Sequence, residues 1–369
     1  MDGSLTAPLK GTQAPRPAME KPLLSILIPC RNETRFLARC LDSVLASDYP
    51  AERMEVLAID GRSTDGTREL ISRYCATDSR VRLIDNPEQI TPCALNRGIA
   101  AARGSVIARL DAHAAIAIDY WSQCVHHLLL SGAENVGGSM RTVAQEPGVW
   151  AQAIVTALSH GFGVGNSHFR TGVKEPKWVD TVFGGCWRRE VFDRVGGFNP
   201  QLRRSQDMEF SLRLRAAGGR TLLVPTARCD YFARTRMRDF CRHNFVNGEW
   251  AILPFVYSNV IPVSWRHLVP GVFALSLLAA CSALPWSAWP LGLVGAPYVL
   301  ANLGASFQAS LLGKRSARGA GALALPIIFL ALHLCYGLGS VWGAVLAAGV
   351  VRGRQLDRSE ENSCIPEQH

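Results

Sequence analysis

Two carboxylates and an imidazole stand in this 369-residue sequence where short apolar runs end. Asp60 follows the run Val56–Ile59 and opens a turn, DGRSTDGT, rich in Gly, Ser and Thr. A carboxylate there can accept hydrogen bonds from a nucleobase or ribose; a lone Asp in such a turn serves as readily as a helix cap. Asp111 closes the run Val106–Leu110, and His113 follows two positions later. If the chain stays extended, both side chains point to one side. Such a pair can hold a divalent cation that bridges phosphates, although an isolated Asp-x-His is as readily structural. A third polar cluster, Arg31-Asn32-Glu33, ends the run Leu23–Ile28.

Regular alternation positions these clusters. Apolar runs at Leu23–Ile28, Glu55–Ile59, Val81–Ile84 and Val106–Leu110 read as strands, and helical spacing occupies Phe36–Leu45, Thr67–Tyr74 and Cys93–Ala102 between them. Strands alternating with helices imply an α/β fold with a mostly parallel, Rossmann-like sheet, whose ligands bind at the carboxyl ends of the strands. All three clusters fall at those ends. The second half is less regular, and Gly161–Gly165 with Asn166 and Ser167 reads as a mobile loop. FGGCWRREVFDRVGGF (183–198) and QDMEFSLRLRAAGG (206–219) follow, the latter stopped by Gly218-Gly219.

Composition divides the chain. Positions 267–351 hold no Asp or Glu, and Lys314, Arg315 and Arg318 are their only Lys or Arg residues. The mean hydropathy of +0.09 thus averages a water-soluble front and a bilayer-soluble back. We expect a disordered lead-in at 1–20, an α/β domain over 21–234 and an interfacial amphipathic segment over 235–266. A transmembrane region then covers 267–351 as three helices (268–286, 290–312, 320–351), and 352–369 is a polar tail. Thr235 is the expected N-cap of the interfacial helix, with Arg238 and Arg242 on one face; an ordinary surface helix fits the same pattern. Three spans leave the C-terminus outside, where Arg352, Arg354 and Arg358 run against the positive-inside rule. Gly337, Gly339 and Gly343 suit close helix packing. The net charge of +9 comes without zinc-finger spacing, a run of five basic residues or an RNA-binding aromatic motif, so no nucleic-acid partner is expected. Eleven cysteines, odd in number and without a CxxC pair, read as small buried side chains in a reducing compartment.

In order, PCRNE, DGRSTDGT, ALNRGIAAARG, RLDAH, VFGGCWRREVFDRVGGFNP and QDMEFSLRLRAAGG resemble the family 2 nucleotide-sugar glycosyltransferases of the GT-A fold, from about Leu23 to Trp250. Asp-Ala-His in place of Asp-x-Asp, the loop GVGNSHFR and the C-terminal spans are similar to the membrane-attached subgroup typified by the bacterial succinoglycan glucosyltransferase. The resemblance implies that Pro29, Arg31 and Glu33 sit against the base and that Asp60 reads the uracil edge. It implies that Asp111 contacts ribose and the metal-bound diphosphate, that His113 replaces the second Asp as metal ligand, and that Asp207 is the catalytic base. Acceptor or diphosphate contacts are expected at Gly185, Trp187, Arg203, Arg204, Gln206 and Arg242. Gly61 stands where many relatives carry another Asp, and Arg242-His243, followed by Gly248 and Trp250, stands where processive synthases carry a QxxRW-like element, whose absence argues against processive polymerisation. Glu209 is either a second base or a helix ion pair, and Trp178 and Trp187 either stack on sugar or belong to the core.

The implied enzyme is an inverting hexosyltransferase using Mg2+ or Mn2+. It moves sugar from a nucleotide-sugar, UDP by resemblance, to a hydroxyl of a polyprenyl-linked saccharide, in exopolysaccharide or cell-surface glycan synthesis. The expected location is the bacterial inner membrane, multi-pass, with the catalytic domain cytoplasmic. A polyprenyl-phosphate glycosyltransferase is the nearest alternative, and a catalytically inactive membrane scaffold or binding protein is the alternative from another class. A transporter fits poorly, since His333 is the one ionisable candidate within the spans.

Overall fold

The computed structural model describes residues 20–258, 265–312 and 320–363, so most of the expected lead-in and the basic loop of Lys314, Arg315 and Arg318 lie outside the described residues. The first half runs β1 (Leu24–Cys30), α1 (Thr34–Leu45), β2 (Met54–Asp60), α2 (Thr67–Thr77), β3 (Val81–Asp85), α3 (Thr91–Ala101), β4 (Val106–Arg109) and β5 (Ala114–Ile116). Next come α4 (Tyr120–Leu130), β6 (Asn135–Ala144), α5 (Val149–Ala157), α6 (Gly161–Val164), α7 (His168–Thr171), β7 (Lys177–Val179), β8 (Cys186–Arg188) and α8 (Glu190–Val195). Then α9 (Gln206–Ala216), β9 (Thr221–Ala233), α10 (Met237–Ile252), α11 (Pro254–Tyr257), α12 (Val269–Ser282), α13 (Trp289–Leu312) and α14 (Ala320–Ser363) follow among the described residues.

The nine strands form one sheet in the order β3-β2-β1-β4-β8-β6-β9-β5, with β7 also on β9. Strands β3, β2, β1 and β4 are parallel. The Val, Ile and Leu runs of β1, β2 and β4 are buried on both faces, as helix-covered parallel strands require, while the edge strand β3 is half-buried. Beyond β4 the character changes: β8 is antiparallel to β4 and β6, while β5 and β7 are antiparallel to β9. The sheet is therefore mixed, and the expected parallel order is confined to its first half and to β6–β9. Periodicity had no means of showing this, because an apolar strand reads alike in either direction.

The C-terminal region departs further from expectation. Two helices, Trp289–Leu311 and Leu323–Val351, are long and apolar enough to cross a membrane. The first expected span is the 14-residue α12, roughly 21 Å long and short of a ~30 Å hydrocarbon core. Helix α14 runs to Ser363, so the expected tail enters that helix. The interfacial helix starts at Met237 with Arg236 at the N-cap, not Thr235.

Helix α14 is also packed on the soluble part. Leu325, Ile328, Phe329 and Leu332 share a buried cluster with Ile154 and Ala157 of α5 and Phe240 of α10. Against α10 the two backbones meet at glycines. A Cβ on Gly248 would lie 1.9 Å from the Tyr336 carbonyl oxygen, and one on Gly339 would lie 1.9 Å from that of Phe245. The close packing expected of Gly339 and Gly343 is therefore real, with α10 as the partner of both.

Candidate active site

A cavity of about 910 Å³ opens beside the end of β4, and Arg109, Asp111, His113, Arg170 and Asp207 line one side of it. Asp111 and His113 sit in a turn between β4 and β5, closed by the Ala114 N–H donating to the Asp111 carbonyl at 3.0 Å. They reach one cavity through this turn and not through strand alternation. The Asp111 Oδ1 accepts from Arg109 Nη2 at 3.0 Å and Nε at 3.2 Å. Burial raises the Asp111 pKa, but Arg109 and then His113 outweigh it and hold the carboxyl below its ordinary range. His113 Nδ1 lies 3.1 Å from Glu33 Oε1, and its ring meets Tyr231 edge-on. Burial favours the neutral ring; Tyr231, Glu33 and Asp111 together raise His113 to about 10.

Among the described residues no three His, Cys, Asp or Glu side chains converge as a metal cage. The pair present fits a cation shared with substrate. Asp111 keeps its Oδ2 outside the Arg109 contact. The Nδ1 bond to Glu33 is the carboxylate support common behind metal-binding imidazoles, and it leaves Nε2 for a metal that displaces the proton.

Asp207 stands in the first turn of α9, after Ser205 in the left-handed region at φ 59°. Ser205 Oγ donates to the Trp250 carbonyl at 2.8 Å, tying the start of α9 to α10. The Asp207 side chain is exposed to the cavity and within electrostatic reach of Arg109 and Arg170. Glu209 is buried, 2.6 Å from Arg213 Nε, and accepts from Ser258 Oγ, which makes it the helix ion pair and not a second base.

Basic groups gather farther along the cavity. Arg234 Nη1 donates to His243 Nδ1 at 2.9 Å; Arg204 Nη1 lies 3.4 Å from that nitrogen and 2.6 Å from Asn247 Oδ1. Nδ1 must therefore accept, so the ring is neutral; burial and then Arg204 and Arg234 push its pKa down to about 3. Arg170 lies over the Phe169 and Tyr231 rings, and its buried Nη1 has no hydrogen-bond acceptor.

At the ends of β1 and β2 two loops are stitched together. Asn32 N–H donates to Ser63 Oγ and Thr64 N–H to Asn32 Oδ1, both at 2.9 Å. Asn32 and Arg62 hold positive φ there. Such strain gathers where a surrounding frame fixes the backbone for a purpose. Asp60 is fully buried, each carboxylate oxygen 3.3 Å from the Ser63 N–H and Oδ2 3.4 Å from Arg68. It organises the loop and offers no free edge to a base in this conformation. Arg31 is exposed, Pro29 and Glu33 partly so.

A family model for glycosyl transferase family 2 matches residues 25–196. The chain is 30% identical over 277 residues to the succinoglycan biosynthesis protein ExoA of Rhizobium meliloti, spanning 69% of this chain and 83% of that protein. The chain belongs to glycosyltransferase family 2. It is 25% identical over 268 residues to a dolichyl N-acetyl-alpha-D-glucosaminyl phosphate 3-beta-D-2,3-diacetamido-2,3-dideoxy-beta-D-glucuronosyltransferase of Methanococcus voltae, covering 69% of this chain and 80% of that one. Among solved structures, the mannosyltransferase PcManGT of Pyrobaculum calidifontis, determined with GDP-Man and Mn2+, has the same fold. Its TM-score is 0.51 at 21% identity, over 90% of this chain and 87% of that one.

Within this glycosyltransferase three expected contacts fail for a physical reason. Trp187 is 3% exposed, in an aromatic cluster with Phe192, Phe198 and Phe210, so it is core and cannot stack on a sugar. Gly185 takes φ +123° and abuts the Trp187 ring, where a Cβ would lie 2.3 Å from it. Arg242 is exposed and does not line the cavity; its neighbour His243 does. Arg203, Arg204 and Gln206 do line it. Trp178 is half-exposed under Arg220. The loop expected to be mobile begins as the short helix α6 and leads into α7, pinned where His333 Nε2 donates to the Phe162 carbonyl and Arg266 to Asn166 Oδ1. The sequence reading passed over Arg109, Arg170, Arg234 and His243 as site residues. Arg109 stands inside RLDAH and Arg170 ends GVGNSHFR, so both were within quoted motifs.

Proposed function

We propose that this glycosyltransferase moves a sugar, with inversion, from a UDP-sugar to a hydroxyl of a lipid-linked saccharide at the cytoplasmic face of a bacterial inner membrane. One observation carries the reading: Asp111, His113 and Asp207 open into a cavity whose far wall is built from the apolar helices α12, α13 and α14. A water-soluble acceptor has no use for such a wall. The exposed apolar surface of α13, with Trp286 and Trp289 at its start, supports seating in a bilayer.

In this reading Arg31 and Glu33 flank the nucleoside in the stitched loops that Asp60 braces. Asp207 takes the proton from the acceptor hydroxyl as its oxygen attacks the anomeric carbon opposite the leaving diphosphate. Arg109 and Arg170 supply fixed positive charge beside the position where negative charge grows. A divalent cation, Mg2+ or Mn2+, held by Asp111 and His113 together with substrate oxygens, would neutralise part of that charge. One displacement turns an α-linked donor into a β-glycoside.

The test is incubation of membranes containing the protein with a panel of radiolabelled nucleotide sugars, with and without chelator, followed by lipid extraction. Label is expected in an extractable lipid saccharide from a UDP-sugar, and chelation is expected to abolish it. Failure of every donor to label lipid or glycan sinks the proposal, and activity that survives chelation removes the cation. An acid-labile sugar phosphate as product would instead indicate transfer directly to a polyprenyl phosphate.

A further inference from the structure

Three guanidinium groups of the cavity lack the carboxylate partner that several arginines of this protein have; Arg188 and Arg189 lack one too, but donate to backbone carbonyls instead. Arg80, Arg82, Arg109 and Arg213 each face a carboxylate within ion-pair distance. Among the described residues, Arg170, Arg204 and Arg234 have none. Arg204 and Arg234 instead bracket a neutral His243, which accepts at Nδ1 and so keeps its Nε2–H as a donor. Gathering like charges in a partly dry space is unfavourable unless an anion joins them. An anionic ligand would join them.

The same cavity continues from this cluster along Phe273, Tyr298, Leu332 and Tyr336 of the C-terminal helices. Phe273 and Tyr298 stack at 4.3 Å, and Phe162 meets Tyr298 and Phe329, so this stretch is an aromatic-lined passage. A ligand that satisfies both ends has a multiply charged head and a long apolar tail. Arginine forks match phosphate oxygens in pairs, and the side chain of Asn247 holds the Arg204 fork in place.

We propose that Arg204, Arg234 and His243 seat the phosphate or diphosphate of a long-chain lipid whose tail leaves through the passage between α12, α13 and α14. The inference rests on the lipid-linked acceptor of the preceding section and identifies which side chains hold its charged head. A nucleoside diphosphate carries the same chemistry, so the experiment has to tell the two apart.

Binding of fluorescent geranylgeranyl phosphate to the full-length protein in phosphatidylcholine nanodiscs, without donor, reads the seat whether or not any sugar is transferred. Loss of transfer with this binding intact counts against the proposed reaction and leaves the seat standing. Geranylgeraniol, lacking the phosphate, is expected to bind at least about tenfold more weakly, and the double variant R204Q/R234Q is expected to lose about tenfold in prenyl-phosphate affinity. Its affinity for UDP with Mn2+ should stay within about twofold, which also shows that the domain is folded. Equal binding of alcohol and phosphate, no binding of the phosphate, or an unaffected double variant each overturns the proposal. A double variant that loses UDP and keeps the prenyl phosphate overturns it too, and assigns the arginines to the donor diphosphate. Should both ligands be lost, Phe273→Trp decides. Narrowing the passage is expected to weaken geranylgeranyl phosphate and spare the shorter geranyl phosphate, and equal effects on the two overturn the proposal.

Discussion

Glu33 and His113 stand 80 residues apart and meet with 3.1 Å between Oε1 and Nδ1, joining the loop after β1 to the turn after β4. The bond fixes which ring nitrogen faces the cavity. Glu33→Gln keeps the shape and weakens that hold. We expect the Mn2+ concentration for half-maximal transfer to rise about 10–100-fold, with much of the rate recovered at saturating metal. An unchanged Mn2+ midpoint would show that His113 does not bind metal.

Asp207 and Glu209 differ in exposure and hence in what their loss does. Asp207→Asn is expected to lower transfer by a factor of about 10²–10⁴ with little change in unfolding temperature, because the side chain is exposed and general-base catalysis contributes on that scale. Glu209→Gln disrupts a buried ion pair with Arg213 and should lower the unfolding temperature more than the rate per folded molecule. The reverse pattern in radiometric and thermal assays would exchange the two roles.

Gly339→Ala places a methyl group against the Phe245 carbonyl. The helices must separate, at a cost of about 1–3 kcal/mol. Because α10 carries His243 and Asn247, transfer should fall along with stability. Full activity in the Ala variant, measured in membranes at low temperature, would mean that the seam need not be tight.

His243 gives a pH dependence with a definite sign. Its folded pKa is pushed down to about 3, while an ordinary imidazole titrates near ~6.5. Above pH ~6.5 the ring is neutral folded and unfolded, and its contribution is fully present. As pH falls from there towards 3 only the unfolded chain takes up the proton, so stability drops by up to about 1.4 kcal/mol per pH unit from this group. His243→Gln should flatten that loss between pH 7.5 and 5 in thermal unfolding, and an equally steep loss in the variant would contradict it.

The half of the fold built from local pattern was legible: β1 to β4, their helices and the clusters at their ends follow from strand–helix alternation. Asp111, His113 and Asp207 could be singled out because motif order marks them, and the structure brings all three to one cavity. What escaped depends on contacts far apart in sequence. The antiparallel β8 and β5 are set by long-range pairing, and Trp187 reads as a binding tryptophan until Phe192, Phe198 and Phe210 close around it. Arg234 and His243 meet locally, but Arg204 joins them only once the start of α9 is tied to α10.

The glycine contacts between α10 and α14 make modularity a poor description of this enzyme. The fragment a biochemist would cut, ending near residue 266, exposes the buried face formed by Ile154, Ala157 and Phe240. It also takes away the wall formed by Phe273, Tyr298 and Leu332. What reads in the sequence as an anchor is, in the folded chain, part of the catalytic body.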